Sequence, residues 1–577
     1  MMSYNILGVN PGHNGSVALL VDGELVYYIE EERLSRQKYD GNPFKGIVDI
    51  LSKWHIDEIV LGGTSPNFPQ LPWTGEDPYS ALVRKYNPNV KVVNLGNEHH
   101  LGHASCAFYN SGFDEAIAIV VDGAGSHKEE SLDEEGNYKA KGFETESIWV
   151  CKYPNVFSLV HKVYGDNQGQ KVNTGVFDFD SAVTLTKAYE AVSHYLGFGF
   201  IEAGKTMGLA PYGNRDEIIP RLFNGNRGSK DLFIPNYPAG AYIDQARFPQ
   251  FVREGDPNDW HKEPEKLLDI EKNLAWQIQQ DTQRIVGDMI EQSVNITGIK
   301  NVVISGGYGL NCVANYYFAK RFPEVNFYFE PMSHDGGTSV GIAKFIWHSK
   351  EMVENEKDTI IRKQTSLYHG PEYSNNDIET ILDKNSDKIR TKKVSYKEVA
   401  QLIADRNIVS IFQGRSEAGP RALGNRSILY DPRDPNGKDF VNTVKGREWF
   451  RPFAGSVLAE DGNEWFDLAG QEESPFMMMA VNVAADKLKL IPAICHVDDT
   501  CRVQTVTEEQ NKHYYNLIKA FKSITEVPIL FNTSFNLAGE PLVETVDDAL
   551  QTLYKSSMNY LYLPDLDILV EKYEQEK

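Results

Sequence analysis

The sequence predicts an α/β fold in two modules, and three observations support this class. Short apolar runs typical of buried strands recur along the 577 residues and end at turn residues. A strand leads into an Asp-Gly pair twice, at Asp22-Gly23 and at Asp122-Gly123, which hints at an internal duplication. The pattern breaks into charged, unpatterned sequence between about residues 351 and 365. We therefore predict one domain over residues 1–355 and a second over residues 366–577.

The predicted strands follow in chain order, each defined by an apolar run and the turn that ends it. The first three form a strand–turn–strand series, because Asn10-Pro11-Gly12 and Asp22-Gly23 are strong turn signals. The later strands lead into polar or glycine-rich loops, and a helix is predicted from Ser339 onwards. The predicted strands are residues 5–9, 16–21, 24–29, 116–121, 301–304, 325–329, 408–412 and 527–531.

The composition predicts a cytoplasmic protein without membrane partners. The formal net charge is -23 and the pI is near 5.1, whereas general nucleic-acid or membrane-surface binders need dispersed cations. The five cysteines have neither CxxC nor disulfide-framework spacing, which suits a reducing compartment. The N-terminus leads directly into a strand, without the basic region of a signal peptide. No apolar run approaches the roughly 20 residues that span a bilayer.

Two histidines and two aspartates are candidate metal ligands. His99 and His103 are four residues apart, so on a helix they share one face. Asp122 and Asp335 lie where a strand is followed by a loop, the position from which α/β folds reach their ligands. A set of two imidazoles and two carboxylates suits Fe(II), Zn or Mn. The histidine spacing alone is weak evidence, because paired helical histidines are more often ordinary packed residues.

Glycine-rich stretches in the first module are candidate nucleotide contacts. Gly306-Gly307 follows a buried strand, with Asn311 nearby, and bare backbone there could lie against a nucleotide. Lys205 lies between glycines and could contact phosphate. The alternatives are a tight turn for the glycines and a solvated loop for the lysine.

The second module concentrates cations in an otherwise acidic chain. Residues 414–427 contain three arginines among glycines. A guanidinium group can donate two parallel N–H hydrogen bonds to the oxygens of one phosphate. Ser534 and Asn536 add hydrogen-bonding groups after a buried strand. Surface ion pairs are the alternative, but interleaved glycine, proline and apolar residues favour one anion pocket. Its predicted cations are Arg415, Arg421, Arg426, Lys445, Arg447 and Arg451.

Together these motifs resemble the NodU/CmcH-type O-carbamoyltransferases. They occur in the family's order from residue 5 to about residue 565, and residues 419–427 and 532–536 are the most specific. The matching motifs are residues 12–13, 30–33, 99–104, 205–210, 310–315, 419–427, 451–454 and 532–536.

The resemblance implies a duplicated actin/hexokinase-like first domain, similar to threonylcarbamoyl-transferases, and a YrdC-like α/β second domain. In the first domain it implies a metal at the histidines and aspartates named above, with Gly306, Gly307 and Asn311 near the nucleotide. In the second it implies an adenylate-forming pocket. The pocket's K-x-R and S-x-N motifs are Lys445, Arg447, Ser534 and Asn536.

The resemblance also implies the reaction. Carbamoyl phosphate and ATP, with Mg²⁺, give carbamoyl-adenylate in the second domain, and its carbamoyl group passes to a hydroxyl of a small molecule or modified nucleotide. A neutral imidazole could take the acceptor's proton, and we predict His13 as this general base. The family generally has Asp after this histidine, whereas this chain has Asn14. A homodimer is compatible with the sequence.

Three alternatives differ in acceptor or class. The same activation chemistry could serve a hydroxymethylated base in DNA, although the acidic composition disfavours it. A metallopeptidase is disfavoured because the chain lacks the glutamate of an H-E-x-x-H helix. A non-catalytic nucleotide-binding protein would not explain the cations gathered apart from the metal motif.

Overall fold

The computed structural model describes residues 3–65, 70–72, 75–128, 142–165, 171–173, 184–199, 201–220, 222–223, 234, 242–354 and 360–573. The chain divides into two compact units. The first comprises Met1–Val26 and Gly41–Gln364, and the second comprises Tyr27–Asp40 and Thr365–Lys577. The functions predicted for residues 1–355 and 366–577 stay predictions.

The strands up to residue 354 are β1 (Asn5–Asn10), β2 (Ser16–Val21), β3 (Glu24–Glu30), β4 (Glu58–Leu61), β5 (Lys91–Asn94), β6 (Glu115–Val121), β7 (His127–Lys128), β8 (Gly142–Lys152), β9 (Val156–Gly165), β10 (Lys171–Asn173), β11 (Asn301–Ser305) and β12 (Asn326–Phe329). The α-helices are α1 (Glu31–Ser35), α2 (Phe44–Leu51), α3 (Pro78–Tyr86), α4 (His99–Ser111), α5 (Leu185–Tyr195), α6 (Ala203–Leu209), α7 (Pro257–Trp260), α8 (Asp269–Thr297), α9 (Cys312–Arg321) and α10 (Thr338–Glu354).

Two sheets of the same strand order confirm the predicted duplication. One sheet has the order β3-β2-β1-β4-β5, and the other contains the order β9-β8-β6-β11-β12. In each, the central strand pairs antiparallel on one side and parallel on the other, and a further parallel strand follows. This repeat is the duplicated actin/hexokinase-like architecture. The Asp22-Gly23 turn between β2 and β3 has positive φ at both residues, as a tight hairpin turn requires.

The second unit contains a nine-stranded mixed sheet. Its order is β13-β21-β20-β14-β15-β19-β16-β18-β17. These strands are β13 (Ile389–Lys393), β14 (Val409–Phe412), β15 (Arg426–Tyr430), β16 (Ala454–Leu458), β17 (Ala480–Asn482), β18 (Thr500–Val506), β19 (Ile529–Ser534), β20 (Tyr560–Leu563) and β21 (Ile568–Lys572). The helices beyond residue 365 are α11 (Asn375–Lys384), α12 (Tyr396–Ala404), α13 (Gly437–Lys445), α14 (Gly462–Trp465), α15 (Lys512–Thr525) and α16 (Val546–Lys555).

The α/β class is confirmed in both units, and every predicted strand is present with its bounds shifted by three residues or fewer. The central strands β1, β6 and β14 are buried almost throughout, which explains their continuous apolar runs. The YrdC-like assignment of the second unit stays a prediction. Within the described residues, none of the helices combines the length and the apolar character that crossing a bilayer requires.

Candidate functional site

One edge of the second sheet brings the two predicted aspartates together. Strands β6, β11 and β12 are parallel neighbours, so their carboxyl ends lie at the same edge. Asp122 directly follows β6, and Asp335 lies in the loop between β12 and α10. The N–H of Gly307, just after β11, donates to Asp122 Oδ1 at 3.0 Å. Asp122 therefore lies at a strand end, as predicted, whereas Asp335 lies six residues beyond β12, at the start of the short helical turn Asp335–Gly337 that precedes α10.

Helix α4 supplies the two histidines. His99 and His103 are one turn apart and fully buried, and their Nε2 atoms are 3.1 Å from each other. Helix α10 packs closely on this turn, because a Cβ at Gly341 would lie 1.9 Å from the Gly102 carbonyl oxygen. Small residues at the crossing thus let α10 and the preceding Asp335 approach the histidine face.

The four side chains form one buried cluster, whose candidate ligand atoms all lie within 4.8 Å of one another. His99 Nε2 lies 3.6 Å from Asp122 Oδ2 and 3.6 Å from Asp335 Oδ1. Burial alone would lower the pKa of His99, but the charges of Asp335 and Asp122 outweigh it and raise that pKa well above its usual value. Burial and the charge of His99 lower the pKa of His103 to about 4.

The cluster fits a divalent metal. Ligand atoms at about 2.1 Å from one ion stand roughly 3 to 4 Å apart. The Nε2–Nε2 distance of 3.1 Å and the Nε2–carboxylate distances of 3.6 to 3.8 Å fall in this range. The Nε2 atoms of His99 and His103 face the aspartates and are therefore the atoms that would ligate a metal. Their Nδ1 atoms are buried without a hydrogen-bond partner among the described residues. Two imidazoles and two carboxylates form a mixed N/O set suited to Fe(II), Zn or Mn.

Ser126 and Glu144 hold the start of α4, although the sequence analysis did not single them out. The N–H of His99 donates to Ser126 Oγ at 3.1 Å, and Glu144 Oε2 accepts from the N–H groups of His100 and Ser126 at 3.3 and 3.1 Å. These acceptors satisfy donors that a helix N-terminus leaves unpaired. Glu144 also forms a buried ion pair with Lys162. No local motif predicts the contact between His100 and Glu144, because it joins a helix to a strand 44 residues away.

His13 lies beside the cluster. Its Nε2 is 3.3 Å from Asp335 Oδ2, and its Nδ1 is 3.1 Å from Asn14 Oδ1. The side chain is 55% exposed, so an acceptor in solution can reach it. Asn14 therefore provides an oxygen that orients the ring, the task expected of the aspartate that the family generally has here.

The predicted nucleotide residues are only partly brought together. Gly306 and Gly307 adjoin Asp122, and Gly306 has a φ of +83° with no room for a Cβ against Val121. Asn311 instead caps α9 through Ala314 and hydrogen-bonds Gln279. Lys205, on α6, pairs with Glu202 at 2.8 Å. Their contact with a nucleotide stays a prediction.

In the second unit, the K-x-R and S-x-N residues meet in one pocket. Lys445 Nζ donates to the Ser534 carbonyl and to Asn536 Oδ1, the latter at 3.2 Å. Ser534 Oγ donates to Asn536 Oδ1 at 2.7 Å. Arg447 reaches Thr533 Oγ1 at 3.3 Å. The end of α13 and the end of β19 together therefore hold all four predicted residues.

The pocket carries surplus positive charge. Burial, and then the charges of Arg447, Arg451 and Lys38, lower the pKa of Lys445 well below its usual value. Burial and the charges of Arg451 and Arg502 do the same to the pKa of Arg447. Arg451 Nη1 lies 3.4 Å from Glu448 Oε2. Lys38 and Arg502 are members that the sequence analysis missed, and Arg502 was hidden in the alternating pattern of β18.

The structure does not bring the arginines of residues 414–427 into this pocket as one group. Arg426 is fully buried and donates to the carbonyls of Gln413 and Gly414, while its guanidinium lies 3.7 Å from the Phe412 ring centroid. Arg415 donates to the carbonyls of His369 and Gly370 at 2.7 and 2.6 Å. These guanidinium groups hold loop backbone, a role that the residue types alone do not distinguish from phosphate binding. Arg421 is half-buried, and its role stays a prediction.

Comparisons with known proteins find matches to both units of the chain. Two family profiles match, Carbamoyltransferase N-terminus over residues 79–344 and Carbamoyltransferase C-terminus over residues 400–572. Nodulation protein NolNO of Sinorhizobium fredii is 30% identical, over 95% of this chain and 78% of the relative. Nodulation protein NolO of Bradyrhizobium diazoefficiens is 32% identical, over 80% of this chain and 77% of the relative. The 3'-hydroxymethylcephem-O-carbamoyltransferase of Amycolatopsis lactamdurans is 25% identical, over 94% of this chain and 95% of that enzyme. The chain is an enzyme of the carbamoyltransferase family.

Proposed function

We propose that this carbamoyltransferase is ATP-dependent, makes carbamoyl-adenylate in its second unit and transfers the carbamoyl group to a hydroxyl in its first. One observation carries the activation half. The cations Arg447, Arg451 and Lys38 act on a buried Lys445, and a polyphosphate is the ligand that such surplus charge would stabilise.

Activation takes place in two steps. Water displaces phosphate from carbamoyl phosphate and leaves carbamate. A carbamate oxygen then attacks the α-phosphorus of ATP, forming carbamoyl-adenylate and releasing pyrophosphate. Lys445 and Arg447 would stabilise the charge that spreads over the phosphate oxygens, and Ser534 and Asn536 would fix the Lys445 ammonium.

The transfer half forms a bond between the acceptor oxygen and the carbamoyl carbon while the bond to AMP breaks. His13 would take the acceptor's proton at Nε2, with its Nδ1–H donating to Asn14 Oδ1. His99, His103, Asp122 and Asp335 would hold a divalent metal. Such a metal supplies Lewis acidity toward phosphate oxygens, which makes AMP a better leaving group.

The acceptor that we propose is a small molecule bearing a hydroxyl. The name of the Amycolatopsis relative describes transfer to a hydroxymethyl group of a cephem. The net charge of -23 opposes binding of a polynucleotide.

The test supplies ATP, Mg²⁺ and carbamoyl phosphate without an acceptor and measures pyrophosphate and nucleotide products. We expect carbamoyl-phosphate-dependent pyrophosphate from the wild type and from His99→Ala, and almost none from Arg447→Ala. Arg390→Ala, a surface arginine in β13 paired with Glu571, is the matched control and should retain activity. Absence of pyrophosphate from folded, metal-loaded enzyme, even with hydroxyl acceptors present, would refute the proposal.

A further inference from the structure

A segment from the N-terminal part of the chain is built into the second unit. Tyr27–Asp40 groups with residues 365–577, while the residues on either side of it belong to the first unit. The segment contains the short helix α1 and is rich in charge. Its contacts within the second unit involve two of its arginines, Arg33 and Arg36.

Arg33 anchors the segment to the loop between β14 and β15. Its guanidinium is fully buried and donates to the carbonyls of Glu417 and Gly419, the latter at 2.6 Å. Burial would lower the pKa of Arg33, but the carboxylates of Glu30 and Glu544 outweigh it and raise that pKa. Arg33 is thus a permanently charged anchor in the unit's interior.

Arg36 connects the same segment to the loop after β19. Its two terminal nitrogens donate to the carbonyls of Leu542 and Pro541 at 2.6 and 3.1 Å, and its Nε lies 3.4 Å from Asp548 Oδ1. The side chain is 29% exposed, so it lies at the rim of the unit rather than in the core. A guanidinium suits this position because one planar group reaches two successive carbonyls.

That loop in turn fixes a residue of the cation pocket. Asn536 Nδ2 donates to the Glu540 carbonyl at 2.6 Å, adjacent to the carbonyls that Arg36 holds. Asn536 Oδ1 then accepts from Lys445 Nζ at 3.2 Å. A continuous series of contacts therefore runs from Arg36 through the loop backbone and Asn536 to Lys445.

We infer that Arg36 is a positioning residue for the phosphate-binding pocket of the second unit, acting through the loop of residues 536–542. This inference rests on the proposed function for the identity of the substrate, but not for the presence of an anion site. Loss of the two carbonyl contacts frees the loop, shifts Asn536 and leaves Lys445 without one of its acceptors. Binding of phosphate groups weakens, while groups that act only during bond formation are unchanged.

The experiment compares full-length Arg36→Gln, Arg36→Lys and wild type. Inorganic pyrophosphate binding is measured by titration calorimetry, and KM and kcat are measured for pyrophosphate release with carbamoyl phosphate and ATP. We expect Arg36→Gln to weaken pyrophosphate binding about tenfold and to raise KM for ATP similarly, with kcat within about twofold. Arg36→Lys keeps the charge but reaches one carbonyl, so its affinity should fall between the other two. Arg390→Gln is the control and should match the wild type.

The outcomes separate the two proposals. If Arg36→Gln has a lower melting temperature but binds pyrophosphate as the wild type does, Arg36 is only structural and the inference fails. If Arg36→Gln does not fold, the melting temperature and pyrophosphate affinity of Arg36→Lys are compared with those of the wild type in the same way. If the wild type binds pyrophosphate but releases none from ATP, the proposed adenylation fails, and the affinity ratio of the variants still tests Arg36. A wild type that does not bind pyrophosphate overturns the inference.

Discussion

The two candidate sites are charged in opposite ways, and their side chains respond differently. In the first unit, the carboxylates of Asp122 and Asp335 raise the pKa of His99 far enough for a proton to balance part of their charge. In the second, burial and the surrounding cations lower the pKa of Lys445. A site for a cation can thus gain protons that balance its carboxylates, whereas a site for a phosphate can lose a proton only at Lys445, because its arginines stay charged. Without a bound phosphate, the second site should therefore keep more uncompensated charge than the first.

Removing a metal ligand should have the largest effect and should be confined to the first site. We expect His103→Ala to lower metal affinity and carbamoyl transfer by at least about a hundredfold, because one of four convergent ligand atoms is lost. Pyrophosphate release without acceptor should be unchanged. Metal content by mass spectrometry and both half-reactions would be measured, with the exposed His55→Ala as control. Full metal content in His103→Ala contradicts the assignment.

A substitution in the second site should instead impair activation. We expect Arg447→Ala to slow pyrophosphate release about a hundredfold or more, because it removes a donor to developing phosphate charge. The melting temperature without ligands should not fall, since the substitution relieves repulsion with Arg451 and Arg502. Calorimetry and the pyrophosphate assay test these together. A clearly lower melting temperature would show that Arg447 is structural.

In contrast to Arg447, replacing Arg426 should lower stability rather than phosphate binding. Its buried guanidinium lies 4.0 Å from the buried Glu544 carboxylate and holds two loop carbonyls. We expect Arg426→Met to destabilise the protein by about 3–5 kcal/mol, because it removes one of the buried cations that balance Glu544 and leaves two loop carbonyls without their donor. Denaturant unfolding measures this change. A stable Arg426→Met variant that has lost only phosphate affinity would restore the ligand role predicted from sequence.

A smaller loss of metal affinity is expected from a residue that contacts α4 but is not itself a candidate ligand. Glu144→Gln keeps an acceptor for the N–H groups at the start of α4 but removes the charge that pairs with Lys162. We expect metal affinity to fall about tenfold, as for other residues that orient metal ligands. The matched control is Glu330→Gln, a buried carboxylate that contacts Asn110 at the other end of α4. Equal loss of metal affinity in both variants would indicate a general effect of destabilisation.

The smallest effect is a pH dependence of the second site. Because the folded state lowers the pKa of Lys445 below 10.5, the unfolded chain binds more protons between the lowered value and 10.5. Stability without phosphate should therefore rise with pH across this window in the wild type relative to Lys445→Met. Thermal unfolding at several pH values measures the difference. An unchanged or falling difference means that burial does not disfavour the charged amine.

The sequence predicted the first site better than the second, for a physical reason. Helical spacing aligns His99 with His103, and parallel strands bring Asp122 and Asp335 to one edge, so local rules determined the cluster. In the second unit, residue type predicted cations but not their partners. Arg426 holds backbone carbonyls instead, and Lys38 joins the pocket from a distant part of the chain.

The position of residues 27–40 affects how members of this family can recombine. A crossover near residue 364 would exchange most of the second unit but leave Arg33 and Arg36 with the other parent. The carbonyls of Glu417, Pro541 and Leu542 would then meet arginines selected with a different loop. Functional hybrids are therefore expected to inherit both segments from one parent, and laboratory exchange of the activation half must transfer them as a pair.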